Sequence, residues 1–231
     1  MRLQTRSAML PSRRKAVRMV LSAVGFPLLA GACTTTSLPP PQIANAIPTV
    51  DPLAAERYAA LDNERFSVPA VSLEDLKPAY MRQLVDYRTR EQPGTIVVDP
   101  EARFLYLVQE GGKALRYGVG VGKEGLEFTG TARVERKAQW PRWTPTPDMI
   151  RREPGRYAKW AGGMAGGASN PLGARALYLF KNGKDTLYRI HGTNEPWTIG
   201  EAVSSGCIRM MNQDVIDLYN RVAGGSRVVV L

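Results

Sequence analysis

Short apolar runs separated by turn residues dominate the second half of the chain. They begin after Pro93-Gly94 and continue to the last residues. Runs of this length, bounded by glycine, proline and asparagine, are typical of β-strands. The predicted strands are 95–99, 104–108, 114–121, 130–134, 176–180, 186–190 and 227–231. Asn182-Gly183, between two of them, is a strong two-residue hairpin signal. The pattern therefore predicts a mostly β domain with a sandwich or barrel-like form.

Helical spacing of apolar residues is found at three places. The stretch 213–222 collects its aliphatic side chains on one face and predicts a short amphipathic helix close to the end of the chain. The stretches 53–66 and 73–87 have a looser helical spacing and carry no evident chemistry. We expect both to form short helices that pack on the β domain.

The beginning of the chain has the composition of an export signal. A basic stretch around Arg13-Arg14 precedes an apolar run, 19–30, that ends in small residues. Such a run is too short to span a bilayer comfortably and suits the core of a signal peptide. Cleavage before Cys33 gives a soluble protein, whereas lipidation of Cys33 tethers the protein to a membrane. The sequence leaves these two outcomes open, as it does Sec and twin-arginine export.

Four regions follow from these patterns. Residues 1–32 are predicted to be a signal peptide, and residues 33–52 a linker rich in proline and threonine. Residues 53–92 are predicted to form a short helical segment, and residues 93–231 the main domain. The expected location is the periplasm or cell envelope. The oligomeric state is not predicted.

The charge of the chain changes this picture only slightly. The formal net charge is +10, but residues 1–32 hold six basic residues and no acidic one. The remainder is mildly basic, which suits anionic substrates or a cell envelope better than nucleic acid. We therefore expect no nucleic-acid partner. One histidine and two cysteines also give no zinc-ligand spacing, so neither a metal nor a cofactor is expected.

The candidate chemistry lies in one glycine-rich stretch, HGTNEPWTIGEAVSSGCIRMMN, residues 191–212. It contains His191, the only histidine of the chain, and Cys207, one of its two cysteines. A thiol becomes a strong nucleophile when a neighbouring base removes its proton. Because Cys33 lies at the processing site, no disulfide is expected. The stretch predicts a Cys–His nucleophilic enzyme, and a buried structural cysteine is the alternative.

The motif HGT, followed by SSGCIRM and then Asn212, resembles the catalytic signature of the L,D-transpeptidase (YkuD-type) family. The segment 170–175, NPLGAR, and the strands from Gly94 fit the same domain, so the resemblance covers residues 93–231. It implies acyl transfer on peptidoglycan. Cys207 attacks a donor tetrapeptide after its third residue, D-Ala leaves, and an amine acceptor resolves the thioester. Water as acceptor gives an L,D-carboxypeptidase, and a non-catalytic peptidoglycan-binding envelope protein is a further alternative.

The resemblance also implies roles for individual residues. Cys207 is the nucleophile, His191 the base, and the backbone carbonyl of Gly192 orients the imidazole. The backbone N–H groups of Gly206 and Cys207 are expected to stabilise the oxyanion.

Four further residues are expected to contact the substrate: Arg209, Ser205, Thr193 and Trp197. Arg209 either binds a substrate carboxylate or braces the loop, and Thr193 either faces the site or stabilises a turn. Ser205 stands where many family members have a second histidine. Trp197 is expected to line the substrate groove. The expected partners are peptidoglycan stem peptides, both as donor and as amine acceptor.

Overall fold

Eleven strands and four α-helices form the described part of the chain. The computed structural model describes residues 52–72, 77–122, 128–204 and 206–231. The strands are β1 (Gln83–Asp86), β2 (Ile96–Asp99), β3 (Phe104–Val108), β4 (Lys113–Gly118), β5 (Val121–Gly122), β6 (Gly130–Gln139), β7 (Arg175–Lys181), β8 (Lys184–His191), β9 (Ala202–Ser204), β10 (Ile208–Arg209) and β11 (Arg227–Val230). The α-helices are α1 (Pro52–Arg57), α2 (Pro147–Arg152), α3 (Pro154–Tyr157) and α4 (Asn212–Arg221), with 3₁₀ turns at Pro78–Tyr80, Ala158–Trp160 and Pro196–Thr198.

Nine of these strands form one sheet that closes on itself. Their order is β1-β4-β3-β2-β11-β6-β7-β8-β10, and β5 pairs with β9 in a separate parallel pair. Just beyond β4, Gly120 exchanges two backbone hydrogen bonds with Arg209 of β10, at N···O distances of 2.9 and 2.7 Å. Because β10 is one edge of the sheet and β4 lies next to the other edge, this exchange closes the sheet on itself. The prediction of a mostly β, barrel-like domain is confirmed.

Helix α4 fills the interior of the curved sheet. Its apolar face, Val215 and Leu218, is completely buried together with Val222 just beyond its end. These side chains pack in one cluster with residues from both halves of the sheet, such as Leu105 of β3 and Ile190 of β8. Burying one such side chain stabilises a fold by about 1.5–3 kcal/mol. The amphipathic helix predicted at 213–222 is confirmed, and it begins five residues after Cys207.

The segment before the sheet is less helical than the sequence predicts. Helix α1 ends at Arg57, and Leu61 then pairs with Val68 in an extended bridge. Gln83–Asp86, predicted within a helix, is strand β1 and pairs antiparallel with β4. The helical prediction is therefore wrong for these residues, because β4 offers backbone partners that local spacing does not reveal. Residues 73–76 of the same predicted helix lie outside the described residues.

Residues 52–72 are anchored to the sheet and to α4 by side-chain hydrogen bonds. The Tyr58 hydroxyl donates to Asp214 of α4 at 3.1 Å. The neighbouring Gln213 amide donates to the carbonyl of Pro69 at 3.0 Å. Glu64 accepts from Arg175 of β7 at 2.9 Å and from the Trp140 indole at 3.1 Å. We call residues 52–72 and 77–86 the N-terminal strap, since they contact α4 and include the edge strand β1.

The predicted signal peptide, residues 1–32, and Cys33 lie outside the described residues, as does nearly all of the linker 33–52. Those predictions stay untested. Within the part of the chain that the structure describes, no helix is long and apolar enough to cross a membrane.

Candidate active site

Parallel pairing of β8 with β10 brings the candidate nucleophile and base together. Ile208 lies beside Ile190, and Arg209 lies beside His191, the last residue of β8. Side chains alternate along a strand, and the two isoleucines point into the core. His191 and Arg209 therefore point to the opposite face, and Cys207, two positions before Arg209, does the same. All three side chains line one groove on that face.

The groove encloses about 1030 Å³ between the sheet and a wall formed by residues 140–167. This wall carries α2 and α3 and is closed by a backbone bridge between Trp143 and Met164. Asn170, completely buried, supports it from behind: its amide donates to the carbonyls of Pro141 and Ala165 at 3.1 and 2.9 Å. Part of the segment 170–175 singled out in the sequence therefore builds the groove wall.

The groove is strongly cationic. Its lining contains six arginines and two acidic residues: Arg136, Arg142, Arg152, Arg156, Arg189, Arg209, Asp148 and Glu195. A surplus of this kind raises the local concentration of anionic ligands. Within the described ranges, no group of three or more His, Cys, Asp or Glu side chains is placed to hold a metal ion. The lining therefore favours an acidic organic ligand.

His191 is held as a neutral imidazole with one nitrogen available. Its Nδ1 lies 2.6 Å from the carbonyl oxygen of Gly192. Since a carbonyl only accepts, Nδ1 carries the proton, and Nε2 keeps the free lone pair of a base. Burial, and next the charge of Arg209, lower the pKa of His191 to about 3. The ring is therefore unprotonated at neutral pH.

Asn212, the first residue of α4, fixes the loop after His191. Its Oδ1 accepts from the Ala174 N–H, and its Nδ2 donates to the Thr193 carbonyl, both at 2.9 Å. Gly192 packs so closely against this amide that an added Cβ would approach Asn212 Oδ1 to 2.2 Å. The carbonyl that orients the imidazole therefore depends on the start of a core helix. Sequence reasoning did not assign Asn212 a role.

The Cys207 thiol is partly buried and protonated at rest. Its Sγ lies 3.9 Å from the Leu187 carbonyl oxygen, which is the acceptor of its S–H. Burial raises the pKa of the thiol, while a backbone hydrogen bond from Arg189 and the charges of Arg189 and Arg209 lower it. The net shift is upward. Thiol and imidazole are therefore both neutral before a substrate binds.

Gly206, directly before the nucleophile, has a backbone conformation that other residues rarely adopt. Its φ is 122°, which lies outside the regions favoured by L side chains. A Cβ at this position would meet nothing nearer than the Tyr188 hydroxyl, 4.0 Å away. The requirement for glycine is thus conformational, and it sets the direction of the Gly206 and Cys207 N–H groups. Their role as oxyanion donors stays a prediction.

The remaining predicted site residues are dispersed. Arg209 lines the groove and forms an ion pair with Glu195 at 3.1 Å. Thr193 is buried, and its hydroxyl accepts from the Glu195 N–H at 3.0 Å, which fits the turn-stabilising role. Trp197 is 59% exposed and does not line the groove. Ser205 lies outside the described residues.

Among the groove residues without a predicted role, three lie side by side on β6, β7 and β8: Arg136, Tyr178 and Arg189. Arg189 lies two positions before His191, so strand alternation alone could have placed it on the same face. Tyr178 pairs with Arg189 across β7 and β8 and shares that face. Arg136 gave no such signal, because its strand is irregular at that point.

Comparison with known proteins agrees with the motif. Residues 93–230 match the family model for the L,D-transpeptidase catalytic domain, YkuD. A relative from Escherichia coli K12, described as the probable L,D-transpeptidase ErfK/SrfK, is 35% identical over 60% of this chain and 44% of its own length. A relative from Fuscovulum blasticum, whose description also names an L,D-transpeptidase, is 32% identical over 78% of this chain and 93% of its own.

A solved structure from Brucella melitensis is also similar to this chain. It is described as a probable carnitine operon oxidoreductase and is 55% identical, covering 68% of this chain and 96% of its own, with a TM-score of 0.48. The match to the catalytic-domain model includes both Cys207 and His191 and spans more than half of the chain. This chain belongs to the L,D-transpeptidase (YkuD) family. It spans less than half the length of the curated relatives from E. coli that it matches.

Proposed function

We propose that this chain is an L,D-transpeptidase of peptidoglycan, which transfers an acyl group from a donor tetrapeptide through Cys207 to an amine acceptor. The observation that carries the proposal is the shared groove of Cys207 and His191, mounted on paired strands with the imidazole fixed by Gly192. Membership of the family supplies the substrate class.

Acylation uses the neutral pair directly. As Sγ attacks the carbonyl carbon after the third donor residue, the thiol proton moves to Nε2 of His191. The oxyanion then accepts hydrogen bonds from the N–H groups of Gly206 and Cys207. The C–N bond breaks, the imidazolium gives its proton to the amine of the leaving D-Ala, and a thioester on Cys207 remains.

In deacylation the proton again passes through His191, and the acceptor amine is the nucleophile. His191 Nε2 takes a proton from the acceptor amine as the amine attacks the thioester carbon, and the thiolate of Cys207 leaves. That thiolate recovers its proton from His191. The low pKa of His191 supports this step, because a neutral ring is available to receive a proton at every turnover.

The cationic groove suits the acidic character of a stem peptide. Arg209 lies beside the catalytic pair, and its pairing with Glu195 holds the guanidinium in the groove lining. We propose that it attracts the carboxylate of the D-Ala leaving group. Trp197 lies apart from the groove and is not required for this step.

Action on peptidoglycan also requires export. The basic and apolar pattern of residues 1–32 supports removal of a signal peptide, and Cys33 is a candidate lipid anchor. Mass analysis of the mature N-terminus from the native host distinguishes cleavage after Ala32 from lipidation of Cys33. An unprocessed N-terminus would contradict export.

The function is tested by incubating the purified protein with a disaccharide tetrapeptide, with and without an amine acceptor. Intact-mass spectrometry should show an acyl adduct that is absent from Cys207→Ala, and the products should include cross-linked dimers. Tripeptide alone, without dimers, would indicate an L,D-carboxypeptidase. Absence of any adduct, with tetrapeptide bound but unchanged, would indicate a non-catalytic peptidoglycan-binding protein.

A further inference from the structure

A row of side chains crosses the floor of the groove beside Cys207. Strand pairing places Arg136 of β6 beside Tyr178 of β7, and Tyr178 beside Arg189 of β8. The parallel register of β8 and β10 continues this row to Cys207. The Tyr178 ring lies between two guanidinium groups, with Arg136 Cζ 4.5 Å and Arg189 Cζ 4.4 Å from its centroid. We call Arg136, Tyr178 and Arg189 the arginine–tyrosine row.

A β-bulge places Arg136 in this row. Between β6 and β7 the register advances from Val134–Leu179 to Arg136–Tyr178, so β6 contains one extra residue. Val134 is buried in the core, and simple alternation would send Arg136 into the core as well. The extra residue, Glu135, reverses the alternation and turns Arg136 to the groove. Bulges that redirect a side chain in this way are frequent beside active sites.

The two arginines of the row differ in how their charge is used. Arg189 donates to both carboxylate oxygens of Asp185 at 2.7 Å, so its charge is largely neutralised. Arg136 is exposed and has neither a hydrogen-bond nor an ion-pair partner among the residues that the structure describes. Asp185 lies near enough for Arg136 to help lower its pKa, although Arg189 has the larger effect. Stacking on Tyr178 therefore orients Arg136 while its donors stay available.

The position of Arg136 limits what it can reach. Neighbouring strands lie about 4.8 Å apart, so three strand steps place the Arg136 backbone roughly 14 Å from that of Cys207. The Arg136 guanidinium lies over the ring of Tyr178, whose strand is two steps, or roughly 10 Å, from that of Cys207. An extended peptide covers that distance in about three residues. A donor carboxylate that reaches Arg136 therefore lies about 10 Å from the scissile bond, within about three residues of it on the side that stays attached to Cys207.

We propose that Arg136, held on the Tyr178 ring, binds a carboxylate of the donor peptide remote from the scissile bond and thereby determines donor specificity. The inference rests on the proposed function, which makes the donor an acidic stem peptide. Two donor carboxylates have the required chemistry, that of the glutamate residue and the side-chain carboxylate of diaminopimelate. A planar guanidinium binds either in a two-point geometry.

Acylation kinetics with matched donors test this assignment. Wild type, Arg136→Gln and Arg136→Lys are each given the unmodified tetrapeptide, one amidated at glutamate and one amidated at diaminopimelate. Arg136→Gln should raise KM for the unmodified donor about five- to tenfold and leave kcat unchanged. In wild type, amidation of the carboxylate that Arg136 binds should raise KM by the same factor as Arg136→Gln does. The same amidation should not raise the KM of Arg136→Gln any further. Arg136→Lys should recover part of the loss.

Arg133→Gln is the matched control. Arg133 lies on the same strand, donates to the Gly225 carbonyl at 2.9 Å and does not line the groove. Its removal should leave KM unchanged for all three donors. An equal KM increase for all donors in Arg136→Gln, or no increase for any, would overturn the proposal. So would a fall in kcat with a lower melting temperature, which would make Arg136 a structural brace.

Failure of the proposed function is separable from failure of this inference. If wild type is not acylated by any donor, the proposed function fails. Calorimetric binding of the same three donors to Cys207→Ala, with and without Arg136→Gln, then tests the carboxylate site by itself. Selective loss of affinity for the unmodified donor would support the site, and unchanged affinity would refute it.

Discussion

Two polar regions of the molecule, the groove and the contact of the N-terminal strap with α4, differ in the balance of their charges. On the groove side, six arginines face two acids, and Cys207 and His191 are both neutral. At the strap contact, Asp214 and Asp217 of α4 are approached by Tyr58, Arg82 and Tyr117 at about hydrogen-bond distance. We call these five residues the strap network. In the groove, Arg189 and Arg209 are paired with Asp185 and Glu195, whereas Arg136 has no ion-pair partner among the described residues and remains available to a ligand. Groups that are paired within the protein stabilise its fold. The difference suggests a division between catalysis and stability.

The clearest separation of activity from stability is expected at Cys207, the proposed nucleophile. Cys207→Ser should lower the rate of acylation by at least about three decades, because a hydroxyl beside a neutral imidazole is a far weaker nucleophile. The melting temperature should not change, since the thiol contributes little packing. Intact-mass kinetics and thermal unfolding measure the two effects. A variant that keeps more than a few per cent of the wild-type rate would contradict the assignment.

The largest effect on stability is expected where the strap meets the sheet. Glu64→Ala leaves Arg175 buried without its carboxylate partner, which should lower the free energy of unfolding by about 3 kcal/mol. Urea unfolding measures this loss, and kcat of the folded fraction should stay near the wild-type value. The exposed pair of Glu153 with Arg156 is the control, and Glu153→Ala should cost less than about 0.5 kcal/mol. Equal losses in the free energy of unfolding of Glu64→Ala and Glu153→Ala would show that the buried pair contributes no more to stability than the exposed one.

Gly206→Ala should affect the groove more than the fold. The positive φ strains alanine by about 1 kcal/mol, and relief of that strain turns the Gly206 and Cys207 N–H groups away from the oxyanion. Loss of one such donor lowers kcat about a hundredfold. Gly155→Ala, at a site with a free Cβ position and no positive φ, is the control and should be neutral. An unchanged kcat in Gly206→Ala would exclude this loop from oxyanion stabilisation.

Asn212 should affect both stability and activity, because its side chain links the start of α4 to the loop that carries the Gly192 carbonyl. Asn212→Ala removes the hydrogen bonds to Ala174 and Thr193 and loosens the Gly192 carbonyl. We expect a loss of about 1–2 kcal/mol in the free energy of unfolding and about a tenfold lower kcat. Exposed Asn220 on the same helix provides the control. A fall in stability with an unchanged kcat would show that Gly192 keeps its position without Asn212.

The last expected effect concerns the fold alone and is a pH dependence of stability from Asp214. Burial raises the pKa of Asp214 to about 7, against the opposing charge of Arg82. The folded state therefore binds this proton more tightly than the unfolded chain does. Its contribution to stability is complete below about pH 4 and is lost as pH rises to about 7, by on the order of 1 kcal/mol per pH unit. Asp214→Asn should flatten that slope in urea titrations, and an unchanged slope would contradict a buried protonated carboxyl.

Local sequence patterns predicted most of the sheet and singled out Cys207 and His191, which line one groove. Asn182-Gly183 forms the hairpin between β7 and β8 as predicted, because two residues with positive φ fit a tight turn without help from elsewhere. The helix after Cys207 was equally predictable from its single apolar face. In both cases the determining interactions lie within a few residues of each other.

Features set by distant partners were not predictable in this way. Gln83–Asp86 is a strand because β4 has an open edge with which it can pair. The spacing of apolar residues in this segment carries no information about that edge. Arg136 reaches the groove only through a bulge opposite Tyr178, which reverses the expected alternation. Proximity of Trp197 to His191 in sequence did not place it in the groove, because the intervening turn carries it to the surface.

The closure of the sheet has a consequence for how the protein is inactivated. The two hydrogen bonds between Gly120 and Arg209 close the sheet on itself and also hold β10, the strand that follows Cys207. A partial opening of the barrel at this seam would shift the nucleophile relative to His191 before the core itself is exposed. Heat or denaturant should therefore abolish turnover before the protein unfolds globally, because the hydrogen bonds at this seam open before the core does.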